Sequence, residues 1–274
     1  MSVTYEAVLD VSENGVAFLT GLLDAERVRR GTRSDTRALS TRAQAVLVLR
    51  WFLDDTRMSA LASDNAISPS TAYDYRDEGI AVLAARRPTL HGALLAAKIA
   101  GHSHVIVDGT LIYTDRVSTP GPTTGVDLWW SGKHHHHGGN IQVVSSPDGW
   151  PLWTSGVRPG REHDTTAARA DPELLARIAA WVADGRPGLA DLGYEGEPDI
   201  FTVPHKKPKN TALTVDQATF NAVHGALRCL GERANSLLKT TFKPLRRYRG
   251  DPWRLGRIVA AALVLLHQEN HRTT

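Results

Sequence analysis

The sequence predicts an α/β fold: a mixed sheet flanked by helices, preceded by an all-α region. Three observations carry this. Residues 1 to about 88 are dense in Ala, Leu and Arg with apolar positions at helical spacing. From about residue 101 the texture turns to short runs of β-branched and aromatic residues. Those runs alternate with helical stretches in the order strand, strand, strand, helix, strand, strand, helix. The boundaries read as 1–90 for the helical region and 101–274 for the α/β domain.

Taken in order, Gln44–Leu53 is a dense apolar helix, and Arg57–Asp64 a short one. A turn at Asn65-Ala66-Ile67 follows. Ser68 then supplies a side-chain oxygen for orphan amides and Pro69 suits the first helical position, so a longer helix runs to about Ala85. A short helix, a tight turn and a capped longer helix form a helix-turn-helix pattern over about 44–86. His104–Tyr113 reads as a strand. Asn140–Ser146 and Trp150–Val157 read as strands joined by a hairpin at Pro147-Asp148-Gly149. Asp171-Pro172 opens a helix that stops at Asp184-Gly185. Gly188–Leu192 and Ile200–Val203 read as further strands. Thr214–Phe242 reads as a long helix with breaks expected near Gly225 or Gly231, and Trp253–Asn270 as the last helix.

Bulk properties narrow the function. The 274 residues carry a net charge of +3 and a pI near 9.1, which permits a nucleic-acid partner without demanding one. Cys229 is the single cysteine, so an internal disulfide and a Cys-based zinc cage are excluded. The longest apolar run, Ile258 to Leu266, is too short to span a bilayer, and Met1–Glu6 lacks the pattern of a secretory leader. A soluble, cytoplasmic protein is the expectation.

Chemistry is concentrated in three acids. Asp108 follows Val105-Ile106-Val107, Asp191 follows Gly188-Leu189-Ala190, and Glu232 lies on the long helix. A carboxylate on an apolar strand is costly unless paired or metal-bound. Asp108-Gly109 between apolar runs is also a hairpin-turn signature, Asp191 suits a strand-end turn, and Glu232 suits a solvated helix face. Helical spacing puts Arg228, Glu232, Asn235, Ser236 and Lys239 on one face. Asp171 and Asp184 are better explained as helix caps.

These signatures, in order, resemble the acidic-triad (DDE) transposases of bacterial insertion sequences, in the branch related to Harbinger transposases. Val107–Thr110 resembles the family's first acidic motif, Ser131–His134 before Asn140–Val144 its second-strand lead-in, and Gly160–Asp164 a motif before the first catalytic-domain helix. Ala190–Tyr194 resembles the second acidic motif, and Glu232-Arg233 with Leu238-Lys239 the third. The resemblance covers nearly the whole chain. It implies an RNase H-like catalytic domain in which Asp108, Asp191 and Glu232 hold two Mg²⁺ (or Mn²⁺) ions. These would activate water or a DNA 3′-OH and stabilise the leaving oxygen. It implies double-stranded DNA, as element ends and target, for partner, and a homo-oligomer on DNA. His163 and Asp164 are candidates for ordering the site.

Further residues are candidates for DNA contact. Ser70, Thr71, Tyr73 and Asp74 open the second helix of the helix-turn-helix, where base edges are read. Arg42, Arg50, Arg57 and Arg76 are candidate phosphate contacts. Lys206, Lys207 and Lys209, then Lys239, Lys243 and Arg246, Arg247 and Arg249, make two basic runs flanking Glu232. His134–His137 read as a basic, partly exposed loop. Trp129, Trp130, Trp150 and Trp153 read as core or strand-pairing residues. Two other readings stand beside the transposase: a metal nuclease of the same fold without strand transfer, and a non-catalytic DNA-binding regulator.

Overall fold

The computed structural model describes residues 8–33 and 36–274; the N-terminal residues behind the leader reading lie outside them. Five helices come first: α1 (Glu13–Arg29), α2 (Thr41–Asp54), α3 (Met58–Asp64), α4 (Pro69–Ala84) and α5 (Leu90–Ile99). Ser68 caps α4 as expected, accepting from the Thr71 amide at 3.1 Å with Pro69 in the first turn. Residues 65–68 join α3 to α4. The sequence reading ended the helical region near Pro88 and missed α5, whose Thr89 cap accepts from the Gly92 amide at 3.1 Å. Leu90, Ala93, Leu94 and Ala97 make its buried face.

The sheet is mixed. Its long strands are β1 (Val105–Thr114), β3 (His136–Ser145) and β4 (Pro151–Pro159), paired antiparallel in the order β1-β3-β4. Short β5 (Gly188–Leu189) and β6 (Arg247–Tyr248) run parallel to the two ends of β1, and β2 (Trp130–Ser131) pairs with the start of β3. The β3–β4 connection turns at Gly149, whose φ is +79°, as the Pro-Asp-Gly signature predicts. Helices α6 (Asp164–Arg169) and α7 (Pro172–Ala183) follow β4; the Asp171 side chain caps α7 by accepting from the Leu174 amide.

Two expected strands are corrected. The Gly188–Leu192 run keeps only two strand residues, because the Asp191 side chain accepts from the Gly193 amide and turns Leu192–Tyr194 into a 3₁₀ helix. Ile200–Val203 reduces to one bridge, Thr202 to Leu189. The long helix α8 (Val215–Thr241) is unbroken. Gly225 faces open space, and Gly231 lies against Ile106 of β1 where a Cβ would clash, so the second glycine permits close packing rather than a break.

The last helix, α9 (Leu255–Glu269), is buried from Leu255 to His267 except Arg257. A helix apolar all round belongs in a core, and α9 packs against α4, α1, α8 and β4. Trp129, Trp150 and Trp153 are buried as expected. Among the described residues no helix is long and apolar enough to cross a membrane.

Candidate active site

Asp108 sits in the middle of an unbroken strand. It pairs in register with Val143 of β3, which removes the hairpin-turn alternative. Val105, Ile106 and Val107 before it are fully buried, so its carboxylate is launched from the floor of the sheet. It faces α8. Asn235 donates through Nδ2 to Asp108 Oδ2 at 2.8 Å, and an Arg228 guanidinium nitrogen lies 3.8 Å from Oδ1.

Glu232 comes to the same place from the helix. The other end of the Arg228 guanidinium lies 3.6 Å from Glu232 Oε1, so one cation stands between the two carboxylates. The close packing at Gly231 makes this possible: it brings α8 onto β1 one residue before Glu232. Lys239, two turns on, donates to the Leu111 carbonyl at 3.0 Å. Of the face read from helical spacing, Arg228, Asn235 and Lys239 reach β1, whereas Ser236 is exposed and the Glu232 side chain is 67% exposed; the buried positions here are Gly231, Ala234 and Leu238.

Asp191 follows the short β5 by two residues, past the pairing of Gly188 and Leu189 with the start of β1, and caps the 3₁₀ turn after it. Asp164, the first residue of α6, completes the group. Added Cβ atoms at Gly109 and Gly193 would press on its carboxylate, so two glycines beside Asp108 and Asp191 make room for it. Its Oδ1 accepts from Asn140 Nδ2 at 2.9 Å. Asn140 accepts in turn from Gln142 Nε2 at 3.0 Å, and Gln142 accepts from the Tyr194 hydroxyl. Asn140, Gln142 and Tyr194 are buried, and a satisfied buried polar chain of this kind holds its end group rigidly. His163 is exposed and caps α6 through its backbone only. The two residues share a cleft of about 490 Å³ with Lys133, His134 and Gly193.

Sequence reasoning did not single out Asn140, Gln142 or Tyr194. Polar residues interrupting the apolar run of β3 were the available signal. Asn235 and Arg228 had been placed on the Glu232 face without a partner; β1 supplies one.

Burial, opposed by Arg228 and reinforced by Asp191, Asp164 and Glu232, pushes the Asp108 carboxyl up to about 6. Mutual repulsion of this kind is what a bound cation relieves. The sign for stability follows. The native protein holds the proton more tightly than the unfolded chain, so ionising Asp108 costs stability as pH rises from about 4 through about 6, and the full cost remains above that. A rise of that size corresponds to roughly 2–3 kcal/mol. Asp108→Asn keeps an oxygen for Asn235 and removes the charge. It is expected to raise the Tm of the metal-free protein by several degrees at pH 8 and hardly at all at pH 4; calorimetry at the two pH values checks this.

The donor set fits a hard divalent cation: clustered carboxylate oxygens, one strongly buried, with Arg228 already bridging two of them. Among the described residues, no three acidic, His or Cys side chains stand in finished ligating positions.

The other predicted residues are dispersed. Ser70 and Thr71 are exposed or half-exposed at the start of α4, with hydroxyls bonded to Ser68 at 2.8 Å. Tyr73 is exposed, while Arg76 is buried between the Trp51 and Tyr73 rings and bonded to Asp77. Arg42 is paired with Glu13 and Arg50 with Asp64. Lys206 pairs with Glu195, Lys243 with Asp54 and Arg247 with Asp115, and Arg246 donates to backbone carbonyls at the end of α8. Lys207 is exposed. Arg57, Arg247 and Arg249 share a cleft of about 280 Å³ with Tyr73 and Arg76. His134 and His135 lie in the β2–β3 turn, where His135 has φ +52°, and His136 packs on Tyr113 with ring centres 4.6 Å apart.

Residues 107–267, from the strand residue before Asp108 to the end of the buried face of α9, match the family model described as DDE superfamily endonuclease. The chain belongs to this family. Its membership makes DNA the substrate class and divalent metal ions the family's general cofactor. No curated protein and no solved structure matches the chain significantly.

Proposed function

We propose that the protein is a transposase of a bacterial insertion sequence, in the Harbinger-related branch, with Asp108, Asp191 and Glu232 as its metal-holding acids. The observation that carries the reading is the meeting of β1 and α8. There Arg228 and Asn235 tie Asp108 to the helix bearing Glu232, within the field of Asp191. In this reading the three carboxylates hold two Mg²⁺ or Mn²⁺ ions, which supply nucleophile activation and stabilisation of the leaving 3′ oxygen. The chain's own residues do the rest. Asn235 fixes the Asp108 rotamer, and the Tyr194–Gln142–Asn140 chain fixes Asp164 beside the acids. Arg228, displaced by metal, is left free to meet a DNA phosphate.

The helical region, residues 1–90 with a helix-turn-helix over 44–86, is assigned to the terminal inverted repeats. Tyr73 on the outer face of α4, with Ser70 and Thr71, would meet the bases. Arg57 and Arg249 in the cleft beside it would meet phosphates, as would Lys207. Residues 101–274 cut the element ends and join the 3′ ends to target DNA. Two ends call for two centres and hence a homo-oligomer on DNA. The site of action is the bacterial cytoplasm, at the nucleoid.

A labelled inverted-repeat end, taken from the DNA flanking the gene, tests this. The expected result is Mg²⁺-dependent cleavage followed by joining of the 3′ end to a second duplex. Cleavage without joining would leave a nuclease of the same fold, and binding without cleavage a regulator. Affinity for the end should fall about tenfold or more between 50 and 200 mM salt, since phosphate contacts release counterions.

A further inference from the structure

Asp164 opens α6 but does not cap it. The cap is His163, acting through its backbone, and the Asp164 carboxylate accepts from no amide of its own turn. It reaches across to the sheet instead. One oxygen, Oδ1, is held by Asn140 at 2.9 Å, at the end of the buried chain that starts from Tyr194. The other, Oδ2, faces only the Lys133 ammonium, 3.4 Å away on a side chain that is 60% exposed. The Asp164 side chain itself is 12% exposed, and the cleft that Lys133 and Gly193 line opens beside it.

Asp108 and Asp191 are built on the same plan. Asp108 Oδ2 accepts from Asn235 at 2.8 Å, while Oδ1 takes no hydrogen bond and has Arg228 at 3.8 Å. Asp191 Oδ1 accepts from the Gly193 amide at 2.8 Å, and its Oδ2 takes no hydrogen bond among the described residues. Each acid thus commits one oxygen to being aimed and keeps one free. The three also share their surroundings. A Cβ at Gly193 would sit 2.7 Å from Asp191 Oδ1 and 3.1 Å from Asp164 Oδ2, and a Cβ at Gly109, next to Asp108, would strike Asp164 Oδ1. Two residues without side chains therefore keep open the space into which the Asp164 carboxylate extends, between the two signature aspartates. Glu232 has no such support: its side chain is 67% exposed, and Arg228 stands 3.6 Å away.

We propose that Asp164 is a fourth metal-holding carboxylate, joining Asp108 and Asp191 through its free oxygen. Hard divalent ions take carboxylate oxygens, and hydrogen bonds from behind are what aim such ligands. Asn140 and its buried chain do this for Asp164, as Asn235 does for Asp108. A carboxylate serving only to orient α6 would bond the amides of that helix. The inference rests on the metal-holding reading of Asp108 and Asp191 and adds a ligand to it.

Mn²⁺ titrations of the full chain, followed by electron paramagnetic resonance, test this without DNA. Asp164→Asn keeps the oxygen that Asn140 holds and removes the charge. It is expected to weaken Mn²⁺ binding by at least about 100-fold, with an unchanged circular dichroism spectrum, because a ligand is lost with the charge. A group acting from behind the ligands would also weaken binding, so a second variant decides contact. Asp164→Cys places a soft thiolate where the hard oxygen was. This variant is expected to lose Mn²⁺ and to bind Cd²⁺ with a sulfur-to-metal charge-transfer band in the ultraviolet. The wild type, whose exposed Cys229 is its single thiol, supplies the background. Wild-type Mn²⁺ affinity in Asp164→Asn, or no added band in Asp164→Cys, would overturn the inference; if Asp108→Asn still loses the ion, the reading of the signature acids stands. A wild-type chain that takes up no Mn²⁺ would sink that reading and this inference together.

Discussion

Asp108→Ala is expected to reduce DNA cleavage by about 10³-fold or more, with affinity for the DNA end within a fewfold of wild type. The carboxylate lies where β1 meets α8 and is only 17% exposed, tied to the helix by Asn235 and Arg228. Asp191→Ala and Glu232→Ala are expected to be equally inactive, but for different structural reasons. Asp191 also caps the 3₁₀ turn through Gly193, so its loss should cost stability of about 1 kcal/mol as well. Glu232 is 67% exposed and its nearest partner is Arg228 at 3.6 Å; its loss should leave the Tm unchanged. Activity surviving in Glu232→Ala, with DNA binding intact, would remove the helix acid from the site. Activity surviving in Asp108→Ala would end the assignment altogether.

The second large effect is expected far from any acid. Gly231→Val should destabilise the protein by about 3 kcal/mol and abolish cleavage with it. Gly231 meets Ile106 on β1, and a Cβ there would fall well inside van der Waals contact with the Ile106 side chain. Relief comes only by lifting α8 off the strand, which separates Asn235 and Arg228 from Asp108. A reduced denaturation midpoint with an unchanged m-value, together with lost activity, is the signature. Exposed Gly225, six residues earlier with nothing within 4 Å, serves as the control: Gly225→Ala should be neutral or slightly stabilising. Equal effects at the two glycines would mean that the approach of α8 to β1 is not what holds the site.

These two glycines show what the sequence revealed and what it withheld. A glycine in a helix reads as a weakness, and a break near 225 or 231 was the natural expectation. Only the sheet beneath shows that Gly231 is a contact. Periodicity, a local property, grouped Arg228, Asn235 and Lys239, which do reach β1, but the same arc holds Glu232 and Ser236, which stay exposed. Caps were equally legible at Ser68 and Asp171, since the bonds they make lie within three residues. The hairpin at Gly149 was readable from its turn chemistry. Strand ends were not: Gly188–Leu192 looked like a full strand until the Asp191 side chain, bonding two residues ahead, turned the chain away. The helix α5 was missed because its short apolar face is explained only by its packing on α7 and β4.

The acids were read as sequence signatures, but where the fold puts each of them was not in the signatures. Asp108 could have been a turn residue, and it was the ten-residue strand β1, paired through Val143, that excluded it. The second layer was the least legible part. Asn140, Gln142 and Tyr194 are separated by up to 54 residues in the chain and are joined only through the hydrogen bonds of the folded sheet. Many of the basic residues were visible as charge runs, yet the structure ties Lys206, Lys243 and Arg247 to nearby acids. Exposed pairs of this kind hold weakly, so they are open to exchange for phosphate.

Manganese binding puts the central claim to its sharpest trial, because it needs no DNA sequence and no chemistry. Electron paramagnetic resonance of a Mn²⁺ titration counts free ion directly, and pH 8 lies above the value of about 6 to which the Asp108 carboxyl is pushed. The account predicts that the wild-type chain removes Mn²⁺ from solution, and that Asp108→Asn, folded and more thermally stable than wild type, fails to do so. Equal Mn²⁺ uptake by the two proteins would contradict it, since the ion would then be held by groups other than the carboxylate at the junction of strand and helix.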